Sequence, residues 1–328
     1  MKKIIIMFSS IIILLLVAIL FTGKKNENNL KNIKVAEVTH SIFYTPMYVS
    51  DALGYFKEEG LDVEIILTSG ADNVAAAVLS DDVQIGFCGS EQSIYIYNGG
   101  AKDYLVNFAG LTKRDGSFLI SREKDDNFDL SHLIGKDIIG GRKGGMPAMT
   151  LAYTINEFGI SESEINIDTS IDFASMSGAF ISGNGDYVTL FEPTASQLVK
   201  QGYGYTVASI GELGGIVPYT TFNAKKSYIE KNPETIKGFT KAIQKGLDYT
   251  FNHSDEELAK LIKDYFPDAS YNDLVNTIKN YRQIDSWFQT TYISEDGFNH
   301  IQEIMKYNDV LDKKAPYKLL VDNTYNHE

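Results

Sequence analysis

The spacing of apolar and polar positions changes along the chain, and each change marks a segment. Residues 4–21 are apolar except for Ser9 and Ser10, with Lys2 and Lys3 before them and a Lys/Asn/Glu-rich stretch after them. A basic start, an apolar core and a polar exit are the order of a secretory signal. The run is also close to the length of a membrane span. Phe21-Thr22-Gly23 is a poor cleavage site, and Lys24 stands where a lipid-bearing cysteine would have to be. Cleavage, and retention as an anchor with Lys2 and Lys3 on the cytoplasmic side, therefore both stay open.

Beyond residue 33 the pattern becomes that of a folded α/β chain. Residues 34–38 alternate and predict a strand. Residues 48–59 have helical spacing, with Tyr48, Ala52, Leu53 and Phe56 on one face and Gly60 as the stop. A strand over 62–67, a short helix over 73–79 and a strand over 83–87 follow. The same order then returns: strand 136–140, helix 148–158 ended by Gly159, strand 164–168, helix 173–181, strand 186–191. Alternating strands and helices predict parallel strands with crossover helices, and their repetition predicts two similar, Rossmann-like lobes.

Extended stretches at 104–111 and 117–121 lead from the first lobe into the second, and 217–223 leads back. A chain that crosses twice makes a two-stranded hinge, which permits closure. From Ser227 onward the pattern is helical, with starts at Pro233, Asp255, Tyr271 and Ser294; these helices are assigned to the first lobe. The expected division is a signal or anchor over 1–23, a linker over 24–32, lobe 1 over 33–116 and 221–328, and lobe 2 over 117–220.

Charge and cysteine content narrow the function classes. A net charge of −13 disfavours a nucleic-acid partner, which needs a concentrated basic surface. The single Cys88 forms no internal disulfide, so the fold must stand on its own core. The five histidines are scattered, and neither a metal-ligand cluster nor a nucleophile–base pair is visible, so no cofactor is expected.

Ligands of open parallel sheets bind beyond the carboxyl ends of strands, and that rule selects five loops. The first contains Thr39, His40 and Tyr44, a polar tip beside an aromatic wall. The second is Ser69-Gly70-Ala71, where small residues let amides approach a bound group or simply cap a helix. Gly89-Ser90-Glu91 follows the third strand, with Gln92 and Ser93 adding hydrogen-bonding side chains. The fourth, Gly140 to Pro147, brings Gly144, Gly145 and Met146 to a helix start suited to an anion. It lacks the Gly-Lys-Ser/Thr of a nucleotide loop. The fifth is Phe191-Glu192-Pro193, where Glu192 either binds a ligand nitrogen or makes a structural bond at the hinge. Tyr219, on the returning stretch, joins the candidates.

Several of these stretches resemble one family. Pro46-Met47-Tyr48 and the run from Gly54 to Glu64 are similar to the opening of nitrate/sulfonate/taurine-type and pyrimidine-precursor-type substrate-binding proteins. The glycine loop from Gly140 to Thr150 resembles the second-lobe motif of the thiamine-precursor-like branch, and Phe191-Glu192-Pro193 its aromatic-acidic-proline element. Ile304-Met305 and Leu320-Val321-Asp322 also fit. The resemblance implies a type II periplasmic-binding fold with one ligand in the cleft, and cleft-facing positions at Tyr44, Ser69, Ser90, Gly144, Gly145 and Glu192. It also implies delivery of a small organic ligand, oxyanion-like or pyrimidine-like, to an ABC permease and its ATPase. Lys24 in place of the lipid-bearing cysteine departs from the family, and an exported monomer held to the membrane through the N-terminal segment is expected from that segment. The alternative is a small-molecule enzyme, lyase or pyrimidine synthase-like, on the same fold.

Overall fold

The computed structural model describes residues 30–326. The expected signal or anchor, and residues 24–29 of the expected linker, lie outside the described residues. In chain order the strands are β1 (Lys31–Glu37), β2 (Leu61–Leu67), β3 (Ile85–Cys88), β4 (Leu105–Thr112) and β5 (Ser117–Ser121). They continue with β6 (Asp137–Ile139), β7 (Asn166–Asp168), β8 (Tyr187–Phe191), β9 (Tyr205–Ser209) and β10 (Thr220–Lys225).

These strands form two five-stranded sheets, ordered β2-β1-β3-β10-β4 and β7-β6-β8-β5-β9. The two orders are one pattern. In each sheet the first three strands run parallel, and the fourth lies antiparallel to both neighbours. That fourth strand, β10 or β5, is the one arriving from the other sheet. Residues 113–116 carry the chain from β4 to β5, and residues 215–219 bring it back to β10. The two crossings pair with each other: the Val217 amide donates to the Lys113 carbonyl and the Tyr219 amide to the Thr112 carbonyl, both at 3.0 Å. Residues 286–288 flank the first crossing, with the Lys113 amide donating to the Ser286 carbonyl and the Phe288 amide to the Leu111 carbonyl.

The sequence pattern needs four corrections. The helix expected over 48–59 is two pieces, Thr45–Ala52 and Tyr55–Glu58, separated by Gly54 at φ 72°, a left-handed value that glycine adopts without strain. Ala52 is exposed, whereas Phe56 is buried, because the break rotates the second turn. β1 begins at Lys31, inside the expected linker, because it pairs with β2 from Lys31↔Leu61 onward. The polar run after β3 is not a loop but the helix Glu91–Asn98. Helix Thr194–Lys200 and β9 carry no clear alternation; β9 is an edge strand with Tyr205 and Thr206 exposed.

The four expected C-terminal helices form at Pro233–Asn252, Asp255–Ile262, Tyr271–Gln283 and Glu295–Tyr307. Ser254, Ser270 and Ser294 cap the last three by accepting amides of their first turns. The longest packs on the first sheet, where Phe239 meets Phe222 at 5.0 Å and Phe56 at 5.0 Å. Glu295–Tyr307 also reaches the second lobe, where His300 and Tyr307 pack on Tyr153 and the Asn308 amide group donates to the Met149 carbonyl. Among the described residues no helix is long and apolar enough to cross a membrane.

Candidate ligand-binding site

Strand ends and crossings deliver aromatic rings to the seam between the lobes. After β1, the Ser41 side chain accepts the Phe43 amide at 3.2 Å and starts the single turn Ile42–Tyr44, and Pro46 opens the next helix. The turn sets Phe43 and Tyr44 side by side, both buried, with ring centroids 5.6 Å apart. The Trp287 indole N–H fixes it from the hinge side by donating to the Phe43 carbonyl at 2.7 Å. Phe43 meets Tyr281 at 4.6 Å, Tyr219 at 6.2 Å and, across the lobes, Phe191 at 6.0 Å. Phe173 covers Phe191 from the second lobe at 5.6 Å. Tyr44 stands edge-on to Phe87 at 4.5 Å, with Thr220 beside its hydroxyl.

Four buried carboxyl groups, Glu37, Glu91, Asp115 and Glu192, border these rings. Glu91 opens its helix with 4% of its surface exposed. Its carboxyl folds back over Gly89, where an added Cβ would lie 1.9 Å from Oε2. Oε1 accepts a long bond from the Gln92 amide group at 3.4 Å, and Oε2 has no partner. Burial pushes the Glu91 carboxyl up to about 7. Asp115, on the first crossing, is 1% exposed; Oδ1 accepts from the Ser117 amide at 2.7 Å and hydroxyl at 2.5 Å. The Tyr219 phenol lies against this carboxyl, yet Oδ2 lacks a hydrogen bond of ordinary geometry. Burial raises the Asp115 carboxyl as well. Burial first, and then the neighbouring carboxyls Glu37, Glu91, Asp115 and Glu192, raise the phenols of Tyr44, Tyr219 and Tyr281. The nearest arginine in sequence, Arg114, turns its guanidinium to the Gly211 carbonyl at 3.3 Å and to Asp285 at 3.7 Å.

Glu192 is engaged in structure. It accepts from the Ser196 amide and hydroxyl, and from Asn280 of the first lobe at 2.6 Å. The other sequence candidates disperse around the seam. Ser90 is buried and donates to the Pro218 carbonyl at 2.7 Å, tying the helix start to the returning crossing; Gly89 lies beneath the Glu91 carboxyl. His40 binds Glu37 through Nδ1 and the Tyr265 carbonyl through Nε2, and stacks on Phe266, so both ring nitrogens are committed within the first lobe. Thr39 and Ser69 are exposed; Gly70 precedes the helix Ala71–Leu79. Gly144 is exposed at φ 75°, Gly145 is the N-cap of helix Met146–Glu157, and Met146 is buried. Arg142 faces Asp72 at 3.5 Å, which sets the glycine loop opposite the Ala71–Leu79 helix across the mouth of the seam.

Phe43, Asp115, Tyr281 and Trp287 were not among the sequence candidates. Asp115-Gly116 reads locally as a turn pair, and nothing near it announces burial. Two surface hollows lie elsewhere. One of about 410 Å³ sits outside the second lobe among Phe128, Leu130, Phe158 and Ile160. The other, about 470 Å³, lies between Tyr97 and Tyr317. Neither includes Tyr44, Glu91, Asp115 or Tyr219.

The sequence profile of the family described as NMT1/THI5 like matches residues 42–257. The Bacillus subtilis (strain 168) protein named "Putative binding protein YtlA" is 46% identical over 299 residues, 91% of this chain and 90% of that protein. The 4-amino-5-hydroxymethyl-2-methylpyrimidine phosphate synthase of Candida albicans (strain WO-1) is 23% identical, over 81% of this chain and 78% of the synthase. Among solved structures, the periplasmic aliphatic sulphonate binding protein SsuA from Escherichia coli superposes with a TM-score of 0.71 at 15% identity, covering 88% of this chain and 97% of that one. The alkanesulfonate-binding protein SsuA from Xanthomonas axonopodis pv. citri gives 0.70 at 13% identity, covering 89% and 98%. At such identities the likeness is one of fold, and it extends over both lobes. The chain belongs to the NMT1/THI5 like family.

Proposed function

We propose that this protein is the solute-binding component of an ABC importer, working outside the cytoplasmic membrane and handing one small organic molecule to a permease. The observation that carries the reading is the seam itself. Two sheets of the same order, joined by paired crossings, meet around Phe43, Tyr44, Tyr219 and Phe191, with the buried carboxyls of Glu91 and Asp115 paired with no cationic side chain among the described residues. A binding protein needs such a site: aromatic walls for burial, a few polar groups for orientation, and a hinge for entry. The ligand stabilises closure because only the closed form lets it touch both lobes. Identity supports binding over synthesis, at 46% to a relative named for binding and 23% to a synthase. Of the two ligand classes the sequence suggests, the acidic seam favours a nitrogen-bearing ring over an oxyanion.

The test is to purify the full chain without added solute, unfold it and analyse the released small molecules by mass spectrometry. A single organic species in near-equal amount to the protein is the expected result, and returning it raises the thermal midpoint. Protein that carries no solute, and that no fraction of a small-molecule extract stabilises, contradicts the reading.

A further inference from the structure

The seam contains two carboxyl oxygens without a hydrogen bond of ordinary geometry, Glu91 Oε2 and Asp115 Oδ2, the second with the Tyr219 phenol against its carboxyl. Their residues are 4% and 1% exposed, so water does not satisfy them cheaply. They come from different elements: Glu91 from the helix after β3, Asp115 from the first crossing. Both act on the same phenol, that of Tyr219, and Glu91 acts on Tyr44 as well. Aromatic faces therefore stand beside two buried carboxyls that no cationic side chain pairs with among the described residues, the surroundings that suit an organic cation.

We infer that Glu91 and Asp115 form a cation-selective subsite, and that the ligand is an organic cation whose protonated nitrogen lies between them while its apolar body rests on Phe43, Tyr44 and Tyr219. The inference rests on the binding function proposed above and names its ligand class. Glu192 is not part of this subsite, because Ser196 and Asn280 already fill its oxygens. A cation also couples binding to protons. The groups that face Glu91 are Cys88 at the end of β3, Gln92 and Tyr95 on its own helix, Tyr44 on the turn and Tyr219 on the crossing, and none of them supplies a positive charge. Glu91 is thus protonated below a pH of about 7, and a cation binds more weakly there because it must first displace that proton.

The test compares three flat probes of similar size on the full chain: benzamidinium, neutral benzamide and benzenesulfonate. Thermal unfolding should rise with benzamidinium alone, and the apparent affinity should fall as pH drops below about 7. Glu91→Gln and Asp115→Asn keep the shape and remove the charge. Each should weaken benzamidinium by about tenfold or more, the scale of a lost charge-assisted hydrogen bond. Unfolding midpoints without probe establish that both variants fold. If benzenesulfonate stabilises the chain instead, if benzamidinium has no effect, or if both variants bind it as the parent does, the cation subsite is wrong. Those outcomes leave the binding function standing, since that reading fails only when no solute is held at all.

Discussion

Glu91 has a buried carboxyl, one unpartnered oxygen and a proton that it keeps unusually well. The folded chain holds that proton more tightly than the unfolded chain does, so the group favours folding most below its ordinary value of 4.5. That contribution is lost as pH rises through about 7. Glu91→Gln removes the dependence. The variant should match the parent in mild acid and exceed it above neutrality, by up to about 3 kcal/mol in denaturant titrations. An equal difference at both pH values would mean that Glu91 is not desolvated as described. Residues of this kind were partly legible. Tyr44, Glu91 and Tyr219 follow strand ends or lie on a crossing, positions that a strand–helix pattern predicts. Asp115 was not legible, because its burial comes from Tyr219 and from the approach of Gly211, where a Cβ would lie 2.0 Å from the Asp115 carbonyl oxygen. Ser90 and His40 looked like ligand groups from their loops, but distant partners, Pro218 and Tyr265, absorb their hydrogen bonds.

Helix contacts place the first-lobe loops against the seam, and one of them is set by a missing side chain. Gly246, in the middle of Pro233–Asn252, lies where an added Cβ would stand 2.3 Å from the Pro46 carbonyl oxygen and 2.1 Å from the Ser50 hydroxyl. Alanine there would gain up to about 1 kcal/mol of helix propensity. It would also force apart two helices whose contact is backbone, an overpacking that costs about 1–3 kcal/mol. Gly246→Ala should therefore lower stability in thermal or denaturant unfolding. Gly178, exposed in helix Met176–Ile181 with nothing within 4 Å of an added Cβ, is the control, and alanine there should be neutral or stabilising. If both variants gain stability, the close packing at Pro46 is wrong. Helix starts were the most legible elements, since the caps at Ser254, Ser270 and Ser294 are local chemistry. The break at Gly54 was hidden because apolar spacing runs across it, and only the left-handed φ interrupts the helix.

Across the whole molecule, the repeated strand–helix order does correspond to two sheets of one pattern, but the sequence held no sign that each takes its fourth strand from the hinge. β5 and β10 sit inside the sheets they enter, so the proposed clamp motion is expected to concentrate in residues 113–116 and 215–219. In this structure Phe43 on Phe191, Asn280 on Glu192 and Arg142 near Asp72 join the two lobes. The exposed Arg142–Asp72 pair contributes little by itself, so Arg142→Ala should leave ligand affinity within about threefold. A larger loss would make that arginine part of the site. The most direct test of a hinged, shared cleft is a pulsed electron-spin distance between labels at Asn73 and Lys143, exposed positions on opposite sides of the mouth, with buried Cys88 left unlabelled. Protein stripped of its solute should give a long, broad distribution that shortens and narrows when the solute is returned. One distribution, unchanged by the bound solute, would contradict the account.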